Sequence, residues 1–214
     1  MIALQTVLCP VDFSSATPRQ VDLAADLARV AGHTESLLYR RDTFRGTLCD
    51  LMCAAMLAER DAEVAFSPGY RWGTTVMPNS AITVEDIYSA TALSYPQVYR
   101  TTMTGQRIKD VLEDAADMLC NDDPYRRTSC DMVRCGGLRY RLDPRKTVGN
   151  RISALEFIGT GKDIDLAKSY AVAGWGSVAE QVQGPPVWEV IETHLGRIKT
   201  FRAKPQTRVR VVMG

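Results

Sequence analysis

The sequence predicts a mixed α/β fold (α/β or α+β class) for most of the chain. Short apolar runs typical of buried strands alternate with longer segments whose apolar residues recur at helical spacing. The chain has 214 residues, of which 45% are hydrophobic and 24% charged. This composition excludes disorder, and the length is sufficient to bury a core without disulfides or metals.

The beginning of the chain predicts one strand followed by one helix. Residues 6–11 form an apolar run of the kind found in buried parallel strands. Thr17 is expected to cap the helix, with Pro18 in its first position and Gly32 just past its end. One strand and one helix cannot bury both of their faces, so this part needs further elements to pack against.

We expect the chain to divide into a βα segment at residues 1–34 and a main domain at residues 35–214. In the main domain, Thr83 and Thr104 each precede an apolar periodic stretch and are predicted to cap helices. Residues 67–73 are predicted as a loop. The remaining elements, in chain order, are a helix at 44–59, strands at 62–66, 95–103, 131–142, 150–158, 168–174 and 207–213, and a helix at 186–198, which precedes the last strand.

The charge balance gives little indication of a partner. Lys and Arg number 26 and Asp and Glu 25, for a formal charge of +1, so nucleic acid and anionic membranes are not attracted overall. No apolar run approaches the ~20 residues that a bilayer-spanning helix needs. The N-terminus lacks the features of a secretory signal, so we expect a cytoplasmic location for the chain as written.

Cysteine and histidine usage predicts no metal site and no catalytic residue in this chain. The six cysteines contain no C-x-x-C pair, the nearest approach being Cys130 and Cys135, and they are expected to be reduced thiols. The two histidines, His33 and His194, lack a neighbouring metal-ligand motif. His194 falls on the apolar face of a predicted helix, where a packed side chain is expected.

Residues 10–14, Pro-Val-Asp-Phe-Ser, resemble the end of the first strand of universal stress proteins. The resemblance covers about residues 1–33. It implies that Asp12, at the strand tip, helps to line an adenine-nucleotide site. The glycine-rich phosphate loop of that family does not follow in this chain, which favours a purely structural strand and helix.

A longer series of motifs resembles the C-terminal domain of the 5'-nucleotidase family, and within it the SoxB-type thiosulfohydrolases. The motifs keep their order over about 180 residues and lie at 38–41, 57–63, 65–74, 103–106, 112–114, 131–134, 136–138 and 172–175. The resemblance implies a four-layer α/β/β/α sandwich. It also implies a separate metallophosphoesterase domain that holds two manganese-type metal ions, while the C-terminal domain contacts the substrate.

The resemblance further implies that this chain binds no cofactor itself and is inactive alone. The expected partners are a small anionic or sulfur-oxyanion substrate, a carrier protein bearing it, and the metallophosphoesterase domain. Full-length relatives of the SoxB type work in the periplasm, in contrast to the cytoplasmic location expected for the chain as written.

Arg71 is the strongest candidate for a substrate-binding residue. Gly69 permits a tight turn before it, and a guanidinium on such a turn can clamp a tetrahedral oxyanion through paired hydrogen bonds. Tyr70 and Trp72 flank it and could wall the site, or instead pack the loop down. Arg134 is a second candidate cation, and a salt bridge to a nearby aspartate is its equally weighted structural alternative.

Two details favour a thiosulfohydrolase over a nucleotidase. Residues 67–70 are Ser-Pro-Gly-Tyr, where nucleotidases of the family carry Asn-Gly-Gly before the loop arginine. Tyr95 precedes Pro96, and no phenylalanine follows a glycine pair near Trp175, so the two phenylalanines that would stack a base are absent from the sequence. Other positions depart from the family altogether, including Asp42, Arg45 and the segment 126–130.

Three functions therefore remain open at the level of sequence. The favoured one is the substrate-binding domain of a thiosulfohydrolase. The alternatives are a nucleotide-related protein, either of stress-protein type or a 5'-nucleotidase domain, and an interaction module without a ligand.

Overall fold

The computed structural model describes residues 16–69, 73–92, 95–176, 183–204 and 208–213. The helices are α1 Thr17–Leu27, α2 Thr47–Glu59, α3 Val84–Thr91, α4 Gly105–Cys120 and α5 Val187–Ile198, with a short 3-10 turn at Pro124–Arg126. The strands are β1 Val30–Thr34, β2 Val64–Ser67, β3 Ser80–Thr83, β4 Tyr99–Thr104, β5 Arg134–Gly136, β6 Leu138–Leu142, β7 Ile152–Phe157, β8 Ser169–Gly174, β9 Thr200–Phe201 and β10 Val209–Val211. The predicted mixed α/β class is confirmed.

The strands form three sheets. A four-stranded sheet has the order β4-β8-β2-β5, in which β2 runs parallel to β8 and antiparallel to β5. A three-stranded sheet has the order β10-β6-β7, and the third has the order β3-β1-β9. Strands that follow each other in the chain are seldom paired in a sheet, so most of the strand pairing joins residues far apart in sequence.

The four-stranded sheet is buried on both faces. Ala65 and Ala173 belong to a core cluster with helices α2, α3 and α5, whereas Val64, Phe66 and Val172 belong to a second cluster with α4 and the sheet β10-β6-β7. Neighbouring strand residues point to opposite faces, which explains why the strand β2 contributes to both clusters.

The predicted helix caps at Thr83 and Thr104 are confirmed. The Thr83 hydroxyl accepts a hydrogen bond from the amide of Asp86, whose carboxylate accepts one back from the Thr83 amide, and these two bonds complete a capping box. The Thr104 hydroxyl accepts a bond from the Arg107 amide at 3.2 Å. Both caps could be predicted from the local sequence, because a helix cap involves residues only three positions apart.

Other local predictions were wrong. Thr17 is not the cap of helix α1 but its first residue, because Ala16 occupies the cap position. Pro18 follows in the first turn. Gly32 does not end a helix but lies inside β1, where an added Cβ would come within 3.1 Å of Leu195 on α5. The single strand predicted at 131–142 is divided into β5 and β6 by Gly137, whose φ is +85°.

His194 and three of the described cysteines, Cys49, Cys53 and Cys135, are buried, whereas His33 and Cys130 are exposed. His194 is buried and its Nδ1 lies 3.0 Å from Oε1 of Glu59, which also receives Arg197 at 2.7 Å, so the predicted packed histidine is confirmed and joins α5 to α2. The five described cysteines are free. Burial raises the pKa of the Cys135 thiol to about 12.

The predicted division after residue 34 falls at the end of β1. This strand pairs antiparallel with β3 and parallel with β9, so residues 30–34 are hydrogen-bonded to the main domain. Helix α1, in contrast, has no buried residue. The strand predicted at 6–11 and Asp12 lie outside the described residues.

Candidate functional site

The candidate site lies where the parallel strands β2 and β8 end. Ser67 closes β2, and Trp175 and Gly176 follow β8 on the same edge. Ligands of open α/β sheets commonly bind outside the carboxyl ends of parallel strands. A cavity of about 240 Å³ opens here, and its walls are Phe66, Ser67, Pro68, Tyr99, Met103, Val111, Val133, Trp175 and Gly176.

Arg40 lies beneath this edge and contacts both described ends of the segment 67–73. Its Nη2 donates to the Pro68 carbonyl at 2.9 Å, and its Nη1 donates to the Ala90 carbonyl. A Cβ added at Gly73 would lie 3.3 Å from Cδ of Arg40. The guanidinium thus binds the Pro68 end of the segment, and the aliphatic part of the Arg40 side chain lies next to Gly73.

The charge of Arg40 is buried without a counterion in the described part of the chain. The residue is 2% exposed, no described carboxylate pairs with it, and its Nε has no hydrogen-bond partner there. A buried cation left uncompensated costs several kcal/mol or more relative to water, so a nearby anion would be stabilised. Sequence reasoning included Arg40 in a family motif but gave it no role.

Trp175 forms the floor between Arg40 and the cavity. Its indole N–H donates to the Ser67 hydroxyl at 2.8 Å, and the Arg40 guanidinium carbon lies 5.7 Å from its ring centroid. This cation–π contact partly replaces the lost hydration of the arginine. Because the ring is held from both sides and is 3% exposed, it is a fixed element of the site.

Tyr99 forms another wall, and its ring lies against Gly174. A Cβ at Gly174 would come 2.3 Å from the Tyr99 hydroxyl oxygen, so this close approach requires glycine. Burial raises the pKa of Tyr99 above its ordinary value, so the phenol, which is neutral at pH 7 in any case, stays neutral to a higher pH than a free tyrosine. The described walls of this cavity are apolar, aromatic and hydroxyl-bearing residues, which can contact a ligand.

Three of the predicted binding residues, Tyr70, Arg71 and Trp72, lie outside the described residues, and their roles stay predictions. Gly69 is described and is buried against the segment that precedes β5. A Cβ there would lie 2.1 Å from the Met132 carbonyl oxygen, so only glycine permits this backbone approach. The glycine therefore fixes where the segment leaves β2.

Arg134 is buried, with 4% of its surface exposed. Its guanidinium donates to the carbonyls of Thr43, at 2.9 Å, and Asp42, and it lies 3.9 Å from Asp131. These contacts tie the segment before α2 to β5, which fits the structural alternative considered for this residue. Its neighbour Val133, and not Arg134 itself, lines the 240 Å³ cavity.

The described residues offer no ligand set for a metal centre. No group of three or more His, Cys, Asp or Glu side chains comes together within the described ranges. None of the helices traced in these ranges is long and apolar enough to cross a lipid bilayer.

Comparison with protein families identifies the domain. Residues 30–191 match the model of the 5'-nucleotidase, C-terminal domain family. The chain belongs to this family. No curated protein matches the sequence, and the resemblance of residues 1–33 to universal stress proteins stays a prediction.

Solved structures share the fold of this 5'-nucleotidase C-terminal domain. The sulfate thiohydrolase SoxB of Thermus thermophilus, in complex with glycerol, is 32% identical with a TM-score of 0.81, over 92% of this chain and 38% of that chain. A 5'-nucleotidase precursor, also from Thermus thermophilus, is 18% identical with a TM-score of 0.70, over 92% and 43%. The NAD nucleotidase of Haemophilus influenzae is 17% identical with a TM-score of 0.72, over 95% and 42%.

These matches confirm the fold predicted from the resemblance. The nucleotidases support the fold alone, since their identity to this chain is low. The chain spans about two fifths of the length of the structures it matches.

Proposed function

We propose that this chain is the substrate-binding domain of a SoxB-type thiosulfohydrolase. The observation that carries the proposal is the 32% identity to SoxB across 92% of the chain, against 17–18% for the two nucleotidases. A substrate carrying a sulfur oxyanion, free or on a carrier protein, would bind at the carboxyl edge of β2 and β8.

The chemistry of this edge is consistent with an anionic substrate. The buried charge of Arg40 would attract an oxyanion through a medium of low polarity, where Coulomb interactions are stronger than in water. Arg71 would supply direct hydrogen bonds from the turn that follows Gly69. The two metal ions and the activated water would belong to a separate hydrolase domain, and the chain by itself would not turn over substrate.

A 5'-nucleotidase domain is the second candidate, supported by the family match over residues 30–191. Such a domain needs an aromatic pair to stack the base. Trp175 is engaged with Ser67 and Arg40, which leaves its ring poorly placed to accept a base. We therefore favour the oxyanion substrate.

Calorimetric titration of the chain with thiosulfate and, separately, with AMP tests the proposal. We expect thiosulfate to bind more tightly than AMP. Replacing Arg71 by Ala should weaken thiosulfate binding by about 1–3 kcal/mol, because a charge-assisted hydrogen bond is lost. Arg107→Ala, which removes an exposed arginine on α4, is the matched control and should leave binding unchanged.

Three results would contradict parts of the proposal. Tighter binding of AMP would favour the nucleotidase domain, and equal thiosulfate affinity in Arg71→Ala and the parent chain would remove Arg71 from the site. Turnover by the isolated chain with added Mn²⁺ would show that the metal centre is not confined to another domain.

A further inference from the structure

A second cavity lies on the outer face of the sheet β10-β6-β7. It has a volume of about 240 Å³ and is lined by Arg139, Arg141, Arg210, Glu156, Ala154 and Tyr140. No residue of this set lines the candidate substrate cavity. Three guanidinium groups and one carboxylate lie around this concave surface, which gives it a net positive charge.

Strand register places the three arginines on the same face. Tyr140 is buried, so its strand neighbours Arg139 and Arg141 point to the opposite, outer side. In the parallel pairing of β10 with β6, Arg210 is the direct partner of Arg141. Two like charges directly opposite each other on neighbouring strands destabilise a sheet.

One of the three charges is neutralised within the fold. Arg139 donates to Oε2 of Glu156 from both Nε, at 2.8 Å, and Nη2, at 2.6 Å. Among the described residues, no carboxylate lies within ion-pair distance of Arg141 or Arg210. Within that part of the chain, the cavity therefore keeps two positive charges without partners.

The backbone is strained at the same place. Arg139 pairs with Glu156 and Arg141 with Ser153, so β7 carries one extra residue between these pairs. The bulge contains Ala154, whose φ is +47°, a conformation that residues with a Cβ rarely adopt. Strain of this kind persists where the surrounding structure enforces it and is concentrated at ligand sites.

We propose that this cavity binds a small doubly charged oxyanion, of which sulfate and phosphate are examples. Guanidinium groups match the geometry of tetrahedral oxyanions, and one dianion would be shared by the two groups of Arg141 and Arg210. The ligand would remove the repulsion between the two strands. This site is independent of the proposed substrate site and of the activity proposed for it.

The experiment is a titration of the full, ¹⁵N-labelled chain with sodium sulfate, at ionic strength held constant with sodium chloride. We expect saturable shifts of the backbone amides of Ser153 and Ala154 and of the Nε–H signals of Arg141 and Arg210. Constant ionic strength is needed because salt screens exposed charges. Shifts that stay linear, or that chloride alone reproduces, would overturn the proposal.

Substitutions test whether sulfate is bound by Arg141 and Arg210 and not by arginines elsewhere on the surface. Arg141→Gln combined with Arg210→Gln should weaken sulfate binding at Ser153 and Ala154 by at least about tenfold. Arg107→Gln, which removes an equivalent charge on α4, should change it less than about twofold. Equal affinity in the double variant and the parent chain would overturn the proposal.

Two further measurements keep the test decisive. Arg210→Gln alone, at an exposed position of an edge strand, should weaken binding several-fold, so the proposal can be judged if the double variant does not fold. Arg71→Ala should leave the shifts at Ser153 and Ala154 intact. Their loss in that variant would assign the sulfate to the substrate site and overturn a separate site here.

Discussion

Asp50 shows how a single buried residue can control stability. It lies on α2 with 6% of its surface exposed, and its Oδ1 is 2.6 Å from Nη1 of Arg208. Burial raises the pKa of its carboxyl from 3.8 to about 6, against the opposing attraction of Arg208 and Arg134. The ion pair attaches the residue that precedes β10 to helix α2.

This pKa predicts a pH dependence of stability. Because the folded carboxyl holds its proton up to a higher pH than the unfolded one, the contribution of Asp50 to the free energy of unfolding should fall as pH rises from about 4 to about 6, by up to about 3 kcal/mol. We expect denaturant unfolding of the parent chain to lose stability over this range relative to Asp50→Asn. Parallel curves for the two proteins would contradict the prediction.

The arginines show which residue roles the sequence could not assign. Arg71 falls in the predicted loop 67–73, Arg134 falls inside the predicted strand 131–142, and Arg40 falls in a stretch for which no element was predicted. In the structure Arg40 and Arg134 are buried against backbone carbonyls contributed by distant segments. Burial of a charged side chain depends on these long-range partners, so a local pattern cannot predict it.

At the scale of elements, helix α4 is fixed to the strand β7 by one carboxylate. Glu113 is 3% exposed and accepts hydrogen bonds from the amides of Gly149, Arg151 and Ile152 at 2.8–3.1 Å. Lys109 donates to the same carboxylate at 2.9 Å. The carboxylate thus replaces missing strand partners at the start of β7.

Glu113→Ala should therefore be strongly destabilising. It leaves three amides without their acceptor, and a buried donor left unpaired costs about 1–3 kcal/mol. We expect a loss of at least about 3 kcal/mol in chemical denaturation. Asp114→Ala, one residue away and exposed, is the control and should change stability by less than about 0.5 kcal/mol. Similar losses in both variants would contradict this role.

Elements with a strong local signal were predicted well. The caps at Thr83 and Thr104 and the apolar face of α4 follow from residues a few positions apart. The strands β1, β3 and β9 were not predicted, because they are short and β1 carries Gly32 and His33 in place of a regular apolar alternation. Their strand conformation comes from pairing with one another.

At the scale of the whole molecule, the structure indicates where the family domain begins. Helix α1 has no buried residue, whereas β1 is the middle strand of its sheet, and the family match begins at residue 30. The carbonyl of Arg29 also accepts a hydrogen bond from Val84 at 3.0 Å.

Two truncations test this boundary. Compared with a chain that starts at residue 16, a chain that starts at residue 29 should lose less than about 1 kcal/mol of stability, since no buried side chain of α1 is removed. A chain that starts at residue 35 lacks β1 and should unfold or aggregate, because β3 and β9 lose their common partner. Thermal unfolding of both truncated chains measures their stabilities. Equal stability of the two chains, or collapse of the longer one, would contradict the prediction.

The sequence by itself determined the α/β class, the helix caps and the resemblance to the 5'-nucleotidase C-terminal domain, because these depend on local periodicity and on ordered motifs. The tertiary structure alone decided that Arg40 lies buried under Trp175 and that Arg141 faces Arg210 across two strands. Both arrangements join residues far apart in the chain, and their energies come from burial and strand register, which only the folded chain defines.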